Sequence, residues 1–356
     1  MSTQASGTTA ERGLRVLQGF APVPEDFRLQ HGGRVEDGRI AYRLTGIPGN
    51  SVVAVLGGIS ADRVVSAQEQ DRGAGWWEWM AGEGRPLDLR YHQVLSIDYL
   101  CGRGESAGRV VDGPHAGALG PVAVPLVTPT DQANTIALVM AALELEPLCG
   151  MIGASYGGTV ALSFAAAHPD RVLRTLVIGA ADRSHPLATA VRVVQRRIVQ
   201  RAVAAGDEGG GVAFARALAM TTYRSDIEFE QRFSGPTSIN ASGVHFPVED
   251  YIDHNGQAFA RRFTAAQFLC LSQSSDLHRV DAEHIRTPVT LVSTDPDFLA
   301  PRWQLEELAG RMGSLHRLIR VSSLHGHDAF LTDEGLFSSI IRDFIAGCEV
   351  GSRGGS

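Results

Sequence analysis

The chain has 356 residues, of which 44% are hydrophobic and 20% charged, and its formal net charge is −7. This length can bury one large core with an inserted subdomain, and the acidic balance gives no reason to expect a nucleic-acid partner. No stretch approaches the ~18–20 apolar residues of a membrane span, and residues 1–20 lack an apolar signal core, so we expect neither a membrane segment nor a secretion signal.

The first half of the chain alternates short apolar runs with helical patterns, which is typical of an α/β fold with a mostly parallel sheet. We expect a hairpin strand over Arg34–Leu44, with its turn at Asp37-Gly38. Buried strands are predicted at Val52–Leu56 and Val94–Asp98. An amphipathic helix is predicted over Thr128–Glu146, opening at Thr130-Asp131.

The second half begins with a predicted strand at Val172–Ile178 and then changes character. The following stretch is helical and rich in Arg, Ala and Gln. Strand alternation resumes at Val289–Ser293 and again at Leu315–Val321. A last helix is predicted over Gly335–Ala346.

These elements predict one sheet domain that is split by a helical insertion. We assign residues 20–184 and 282–348 to the α/β core. Residues 185–281 are expected to form a helical lid. Residues 1–19 and 349–356 are expected to be flexible tails.

Four cysteines lie far apart and include no C-x-x-C pair. This usage argues against a zinc site and against a disulfide scaffold, and it predicts free thiols in a reducing, cytoplasmic compartment. We expect no bound metal and no bound cofactor. The cysteines are Cys101, Cys149, Cys270 and Cys348.

One basic cluster stands out within the helical segment. Its four arginines are spaced along one helix face, and we interpret that face as solvated or as an interface. The cluster is formed by Arg192, Arg196, Arg197 and Arg201.

The strongest chemical signal is Gly153-Ala154-Ser155-Tyr156-Gly157, a G-x-S-x-G match. An apolar strand-like run precedes it and a small-residue helical run follows it, which is the strand–turn–helix context of a nucleophile elbow. Glycine on both sides of Ser155 avoids steric crowding in a turn where the serine backbone is strained. The sequence therefore predicts Ser155 as a nucleophile.

A serine nucleophile on this fold needs an acid and then a histidine further along the chain. Asp297 lies four residues before a proline on the loop after the Val289–Ser293 strand, and Asp295 lies two residues earlier. We favour Asp297 as the acid and keep Asp295 as the alternative. His327 is favoured as the base over the neighbouring His325.

The roles follow from the chemistry. A neutral His327 would accept the Ser155 proton, and the carboxylate would fix the tautomer of the imidazole. The developing oxyanion needs two backbone N–H donors. We expect them from Tyr156, directly after the nucleophile, and from Ile59, in the loop that follows the Val52–Leu56 strand.

With these residues placed, the chain resembles the homoserine O-acyltransferase family, whose members have an α/β-hydrolase fold with an inserted helical lid. The resemblance runs from about Gly32 to Phe344. The segments that carry it are Gly75-Trp76-Trp77-Glu78, Ser184-His-Pro186, Gln195-Arg196-Arg197, Ala215-Arg-Ala-Leu-Ala-Met-Thr-Thr-Tyr-Arg-Ser225 and Gly326-His-Asp-Ala-Phe-Leu331.

The resemblance implies roles for residues outside the predicted triad. Arg216, seven residues before Tyr223, matches the arginine that binds the carboxylate of the amino-acid substrate. Asp328 matches the acid that holds the substrate amino group, and Tyr223 belongs to the same substrate-binding set. An amino acid carries a carboxylate and an ammonium, which call for an arginine and a carboxylate respectively.

The resemblance also implies the reaction. We expect a ping-pong acyl transfer from acetyl-CoA or succinyl-CoA to the hydroxyl of L-homoserine, in a homodimer that pairs through its lid helices. Two segments depart from the common acetyltransferases, namely Gly57-Gly58-Ile59-Ser60 and Tyr99–Ser106. These departures leave the acyl donor open, and also L-serine as acceptor. An ester or lactone hydrolase and a non-catalytic binding protein remain as alternative hypotheses.

Overall fold

The computed structural model describes residues 13–113, 122–241 and 243–352. Its strands are β1 (Arg15–Pro22), β2 (Arg34–Gly46), β3 (Ser51–Leu56), β4 (Ala81–Gly82), β5 (Leu87–Asp88), β6 (His92–Ile97), β7 (Ala107–Val111), β8 (Gly150–Ala154), β9 (Thr175–Ile178), β10 (Ser238–Asn240), β11 (Gly243–His245), β12 (Val289–Asp295) and β13 (Leu315–Ser322). Its α-helices are α1 (Pro129–Ala142), α2 (Tyr156–Ala167), α3 (Pro186–Ala204), α4 (Glu208–Tyr223), α5 (Asp226–Phe233), α6 (Glu249–Ala260), α7 (Ala265–Leu277), α8 (Arg302–Arg311), α9 (Ala329–Thr332) and α10 (Glu334–Ser352).

The main sheet has the order β1-β2-β6-β3-β8-β9-β12-β13, with β7 paired to β2. Within this sheet, as far as the structure describes it, β6, β3, β8, β9, β12 and β13 run parallel, and β1, β2 and β7 pair antiparallel. The central strands β6, β8 and β9 are buried along their whole length, as expected where helices cover both faces of a parallel sheet. The predicted α/β class is confirmed.

Two separate apolar clusters cover the two faces of this sheet. One cluster contains Ile136 of α1, Phe164 of α2 and Leu305 of α8. The other cluster contains Phe337 and Ile341 of α10. The sheet is therefore the middle layer of a three-layer core, and its carboxyl edge is free to carry loops.

Between β9 and β12 the chain leaves the sheet, and its described residues form helices α3 to α7 and a short hairpin of β10 and β11. In this helical insertion, α4 packs against both α3 and α6. The helix ends have clear causes: Asp207 caps α4, and Thr264 forms a capping box with Gln267 at the start of α7. Among the described residues, no helix combines the length and apolar character that crossing a membrane requires.

The sequence prediction was wrong at Asp37-Gly38, where β2 continues rather than turning back. Asp37 has a positive φ of 50°, and the pairing with β7 shifts register between Glu36 and Arg39. The two residues thus form a bulge within one strand, because β2 is paired on both sides of them, with β7 at Arg34–Glu36 and with β1 from Arg39 to Gly46.

Both predicted tails also begin or end differently in the structure. Residues 15–19 belong to β1, because their backbone pairs with β2 at the sheet edge. Residues 349–352 continue α10, which ends at Ser352. The rest of the two predicted tails, 1–12 and 353–356, lies outside the described residues.

A tryptophan-rich segment fastens the loop after β13 to the core. Trp77 is buried, and its indole N–H donates to the carbonyl oxygen of Phe330 over 2.8 Å. Trp79 donates in the same way to Leu331 over 3.0 Å. The rings of Trp77 and Phe330 also meet edge to face, with centroids 5.6 Å apart. Phe330 and Leu331, which follow shortly after the predicted base, are therefore held in place by a segment from much earlier in the sequence.

We expect Trp77→Phe to lower the free energy of unfolding by about 1–3 kcal/mol, because a buried hydrogen bond is lost. Trp303→Phe is the matched control, since Trp303 is half exposed and should change stability by less than about 0.5 kcal/mol. Urea unfolding of both variants measures the difference. Equal effects of the two substitutions would contradict the assigned anchoring role.

Candidate active site

Ser155 sits at a sharp turn between β8 and α2, with φ 56° and ψ −122°. Its amide donates to the carbonyl oxygen of Ile178 over 2.9 Å, which fixes the turn against the next strand. A Cβ on Gly153 would overlap the carbonyl of Gly157, and a Cβ on Gly157 would overlap the carbonyl of Leu56. Glycine at these two positions lets the turn close on β3, so the serine hydroxyl projects from the carboxyl edge of the sheet.

His327 lies within hydrogen-bond distance of both Ser155 and Asp297. The distance from His327 Nε2 to Ser155 Oγ is 2.7 Å, and that from His327 Nδ1 to Asp297 Oδ2 is also 2.7 Å. This chain of contacts is the arrangement that a serine nucleophile, a base and an orienting acid require.

The loop after β12 distinguishes the two candidate acids. Asp297 is buried, and its Oδ1 accepts hydrogen bonds from the amides of Leu299 and Ala300 over 2.8 and 3.0 Å. Asp295 is still part of β12, and its exposed carboxylate pairs with Arg302 at 3.3 Å. Only Asp297 contacts the histidine.

The two candidate histidines are also separated by their partners. The His325 side chain is partly exposed, and its Nδ1 lies 3.0 Å from Arg224 and 3.2 Å from Glu228. His325 therefore belongs to an ion-pair cluster beside the site, and the contact with Ser155 is made by His327.

Electrostatics favour the protonated form of His327. Burial opposes the charged imidazolium, but the charge of Asp297 and the hydrogen bond to it outweigh burial and raise the pKa of His327 above its ordinary value of 6.5. The ring must be neutral to accept the Ser155 proton. Acidification should therefore inactivate it at a higher pH than an isolated histidine would suggest.

The two expected oxyanion donors lie at adjacent strand ends. β3 and β8 pair in parallel with Leu56 opposite Gly153, so the loop after β3 borders the elbow. Ile59 and Tyr156 both line the cavity that contains Ser155. The Tyr156 ring is fixed in the core by its hydroxyl, which lies 2.7 Å from Ser274 Oγ.

Arg216 reaches the same cavity from α4. Its guanidinium lies 4.8 Å from the Tyr223 ring centroid and 4.9 Å from that of Phe259, and Nη1 donates to the Tyr223 hydroxyl over 3.1 Å. Two aromatic faces thus hold the cation in a fixed orientation. Tyr223 in turn packs 6.1 Å from the His327 ring, so the three side chains form one wall.

Asp328 lies beside His327 and pairs with Arg224, whose Nε is 3.3 Å from the Asp328 carboxylate. Burial raises the pKa of Asp328, against the opposing charges of Arg224, His327 and Arg216. The sequence analysis did not identify Arg224 as part of this site. The signal in the sequence was the position of Arg224 directly after Tyr223, within the segment 215–225 that carries the family resemblance.

These groups converge on one cavity of about 210 Å³ at the carboxyl edge of the sheet. Among the described residues, no group of three His, Cys, Asp or Glu side chains is placed to hold a metal ion. The lining includes Ile59, Ser155, Tyr156, Arg216, Tyr223, His327 and Asp328.

This elbow on a mostly parallel sheet, with Asp297 after β12 and His327 after β13, defines the alpha/beta hydrolase fold. The family model described as the alpha/beta hydrolase fold matches residues 73–334. The chain also resembles a solved structure, homoserine O-acetyltransferase from Bacillus anthracis, with a TM-score of 0.79 and 17% identity over 93% of this chain and 97% of that one.

Sequence similarity narrows the class further. The chain is 35% identical to homoserine O-succinyltransferase from Xanthomonas campestris pv. campestris, over 88% of its own length and 80% of the relative. It is 32% identical to serine O-succinyltransferase from Litchfieldella anticariensis, over 92% and 98%. The chain belongs to the homoserine O-acyltransferase family within the alpha/beta hydrolase fold.

The contacts of Asp297 generate a pH prediction. Rates of acyl transfer to Ser155 should fall as pH drops through a pKa above 6.5, because protonated His327 cannot act as a base. Asp297→Asn should move this limb to lower pH and cut the rate by up to about 10⁴, since the orienting carboxylate is lost.

Asp295→Asn is the control, because the exposed Asp295 carboxylate pairs with Arg302 at the surface. Its pH profile should match that of the unaltered chain, and its rate should stay within about twofold. Stopped-flow acylation at a series of pH values measures both variants. A larger loss in Asp295→Asn would contradict the assignment of Asp297.

Proposed function

We propose that this chain is an acyl-CoA-dependent O-acyltransferase that moves an acetyl or succinyl group to the hydroxyl of L-homoserine. The observation that supports it most is that Arg216 and Asp328 line one cavity with Ser155. A guanidinium and a carboxylate complement the two charged groups of a free amino acid. The two relatives by sequence described above are named homoserine O-succinyltransferase and serine O-succinyltransferase.

The first half-reaction would acylate the serine. His327 takes the proton of Ser155 as its Oγ forms a bond to the thioester carbon, and the amides of Ile59 and Tyr156 stabilise the oxyanion. The C–S bond then breaks, and the CoA sulfur leaves as a thiol with the proton from His327. Asp297 keeps the imidazole in the tautomer that makes both transfers possible.

The second half-reaction would regenerate the serine. Arg216 binds the substrate carboxylate, and Asp328 binds its ammonium group. His327 then takes the proton of the homoserine hydroxyl, whose oxygen attacks the acyl carbon. The ester to Ser155 breaks, Ser155 recovers its proton, and O-acyl-homoserine leaves.

Transfer requires that water does not reach the acyl-serine first. We propose that residues 185–281 act as a lid for this purpose, since α3, α4 and α7 all contribute side chains to the cavity wall. L-serine remains a second acceptor, because the chain is 32% identical to a serine O-succinyltransferase and one methylene is worth only about 1–3 kcal/mol. The thioester co-substrate is the reason we also propose a cytoplasmic location.

We further propose a homodimer that pairs through the helical insertion. Apolar side chains are exposed there: Leu187 and Val194 lie seven residues apart on α3, and Phe214 is on α4, which packs against α3. Phe214 is 64% exposed. A second copy of the chain would remove this apolar surface from water.

The transfer reaction itself is tested with Arg216→Ala. Acylation of Ser155 needs the thioester, the triad and the oxyanion donors, so the burst of thiol release should survive. The second half-reaction should lose about 10- to 100-fold or more, because a charge-assisted pair to the homoserine carboxylate is removed. Stopped-flow thiol release with and without homoserine separates the two steps.

Two further variants complete this test. Arg261→Ala removes an exposed arginine at the end of α6 and should leave both steps within about twofold. Ser155→Ala should show no acyl adduct by intact-protein mass spectrometry. An equal loss of burst and turnover in Arg216→Ala would indicate a structural arginine. An unaltered chain that ignores every amino acid would favour a hydrolase.

The dimer proposal predicts that Phe214→Glu weakens self-association by at least about tenfold, because a charge would be buried in an apolar interface. Leu173→Glu is the control, since Leu173 is an exposed apolar residue of the core at 46%. Sedimentation velocity over a concentration series measures both. Unchanged sedimentation of Phe214→Glu would place the interface elsewhere.

A further inference from the structure

The ion-pair cluster beside the active site is centred on Glu228, a buried residue in the first turn of α5. Its carboxylate lies 2.9 Å from Arg232, 3.4 Å from Arg224 and 3.2 Å from His325 Nδ1. Burial opposes the ionisation of this carboxylate, but the hydrogen bond to Arg232 and the charge of Arg224 outweigh burial and hold the pKa of Glu228 below its ordinary value. Glu228 is therefore a fixed negative charge inside the helical insertion.

Arg224 connects this charge to the active-site cavity. Its Nη1 lies 3.4 Å from the Glu228 carboxylate, and its Nε lies 3.3 Å from Asp328 Oδ2. The side chains of Arg224 and Asp328 are only 15% and 17% exposed, so water screens their attraction weakly. Among the described residues, Arg224 Nε has no acceptor in hydrogen-bond geometry. Charge rather than a directed hydrogen bond holds Asp328, so its oxygens can still accept hydrogen bonds from an ammonium group.

The start of α5 is fastened to the loop that precedes Asp328. The hydroxyl of Ser225 donates to the carbonyl oxygen of Leu324 over 2.6 Å and accepts from the amide of Glu228 over 3.0 Å. In the same loop, Gly326 has a φ of 56°, and a Cβ at this position would lie 2.9 Å from a backbone oxygen of the insertion. Glycine permits this close approach, which fixes the charges of the insertion relative to Asp328.

The balance of charge in the cluster decides how much negative charge Asp328 retains. Glu228 and Asp328 together match Arg224 and Arg232, and Arg224 is shared between the two carboxylates. With Glu228 ionised, Asp328 keeps part of its charge for a further cation. Without that charge, Arg224 would pair with Asp328 alone, and the two groups would neutralise each other.

We infer that Glu228 is a positioning residue for the amino group of the acceptor: through Arg224 it holds the Asp328 carboxylate in place and keeps its charge available to an ammonium group. This inference rests on the proposed function, in which Asp328 binds the ammonium of the amino acid, and deepens it. Asp328 lines the cavity with Ser155, whereas Glu228 lies outside that lining. The effect of Glu228 should therefore be confined to acceptors that carry an ammonium group.

The test compares L-homoserine with 4-hydroxybutyrate, which has the same hydroxyl and carboxylate but lacks the amino group. In Glu228→Gln, kcat/KM for homoserine should fall about 5- to 30-fold, because members of one ion-pair network couple to that extent. The value for 4-hydroxybutyrate should stay within about twofold, since it offers no ammonium to Asp328. Where its turnover is too slow, its inhibition constant against homoserine gives the same comparison. If L-serine is the acceptor, 3-hydroxypropionate is the matching analogue.

The first half-reaction provides an internal reference. The burst of thiol release without any acceptor should stay within about twofold in Glu228→Gln, because acylation of Ser155 precedes the binding of the amino acid. Glu230→Gln is the matched control, since Glu230 is an exposed glutamate of the same helix, and it should leave both acceptors within about twofold. Thermal unfolding of each variant checks that it is folded.

Three further variants separate positioning from a structural role. Glu228→Asp keeps the charge and should lose less than Glu228→Gln. Arg224→Lys keeps a charge beside Asp328 but lacks the planar fork that reaches both carboxylates, so it should show a loss confined to homoserine. In a chain that already carries Asp328→Asn, Glu228→Gln should add no further loss for homoserine.

The outcomes distinguish this inference from the proposed function. If no thioester acylates Ser155, or if no amino acid accelerates turnover, the proposed function fails. If homoserine is accepted but Glu228→Gln leaves its kcat/KM unchanged, or lowers the values for both acceptors equally, the inference is wrong while acyl transfer stands. An additive loss in the double variant also overturns it. Should Glu228→Gln not fold, Arg224→Lys decides by the same comparison of acceptors.

Discussion

The strained backbone at Ser155 is the constraint on which the rest of the site depends. A residue with a side chain holds φ at 56° here, and the turn persists because strand β8, helix α2 and the end of β3 pack too closely for any other path. The glycines at 153 and 157 permit that approach. The turn brings the serine hydroxyl to the edge of the sheet, where the loops that carry Ile59 and His327 also lie.

The parallel sheet explains how residues so distant in sequence meet. Ser155 follows β8, Asp297 follows β12 and His327 follows β13, and the carboxyl ends of parallel strands share one edge. Trp77 and Trp79 add a second restraint, because their indoles bind the backbone of Phe330 and Leu331 just beyond the histidine. The distance from His327 to Ser155 is thereby fixed from both sides of the loop.

The sequence predicted best what local motifs and chain order determine. The elbow around Ser155 and the order serine, acid, histidine depend on short segments. Spacing favoured Asp297 but left Asp295 open as the acid, because the difference between them depends on where β12 ends. That strand includes Asp295, whose side chain is exposed, and the buried loop begins after it. The bulge at Asp37 was missed for a similar reason, since β1 and β7 hold β2 extended.

Long-range ion pairs were harder to predict than the nucleophile. The side chain of Arg192 is partly buried because it pairs with Asp276, which lies 84 residues further along the chain. The helical periodicity around Arg192 gives no information about so distant a partner. The same holds for Arg224 and Asp328, which are brought together by the insertion folding back over the core. The residues that one helix or strand contributes to a cavity can be predicted from the sequence pattern of that element. An ion pair between two elements can be identified only once the fold shows that they are adjacent.

The α/β core and the helical insertion thus supply different kinds of side chain to the site. The core loops supply Ser155, His327 and Asp328, whereas the insertion supplies Arg216, which lines the same cavity, and Arg224, which pairs with Asp328. A neutral alcohol needs only the core side of this arrangement. A charged acceptor needs both sides, so the arginines of the insertion are the natural place for specificity to change while the geometry of the elbow stays constant.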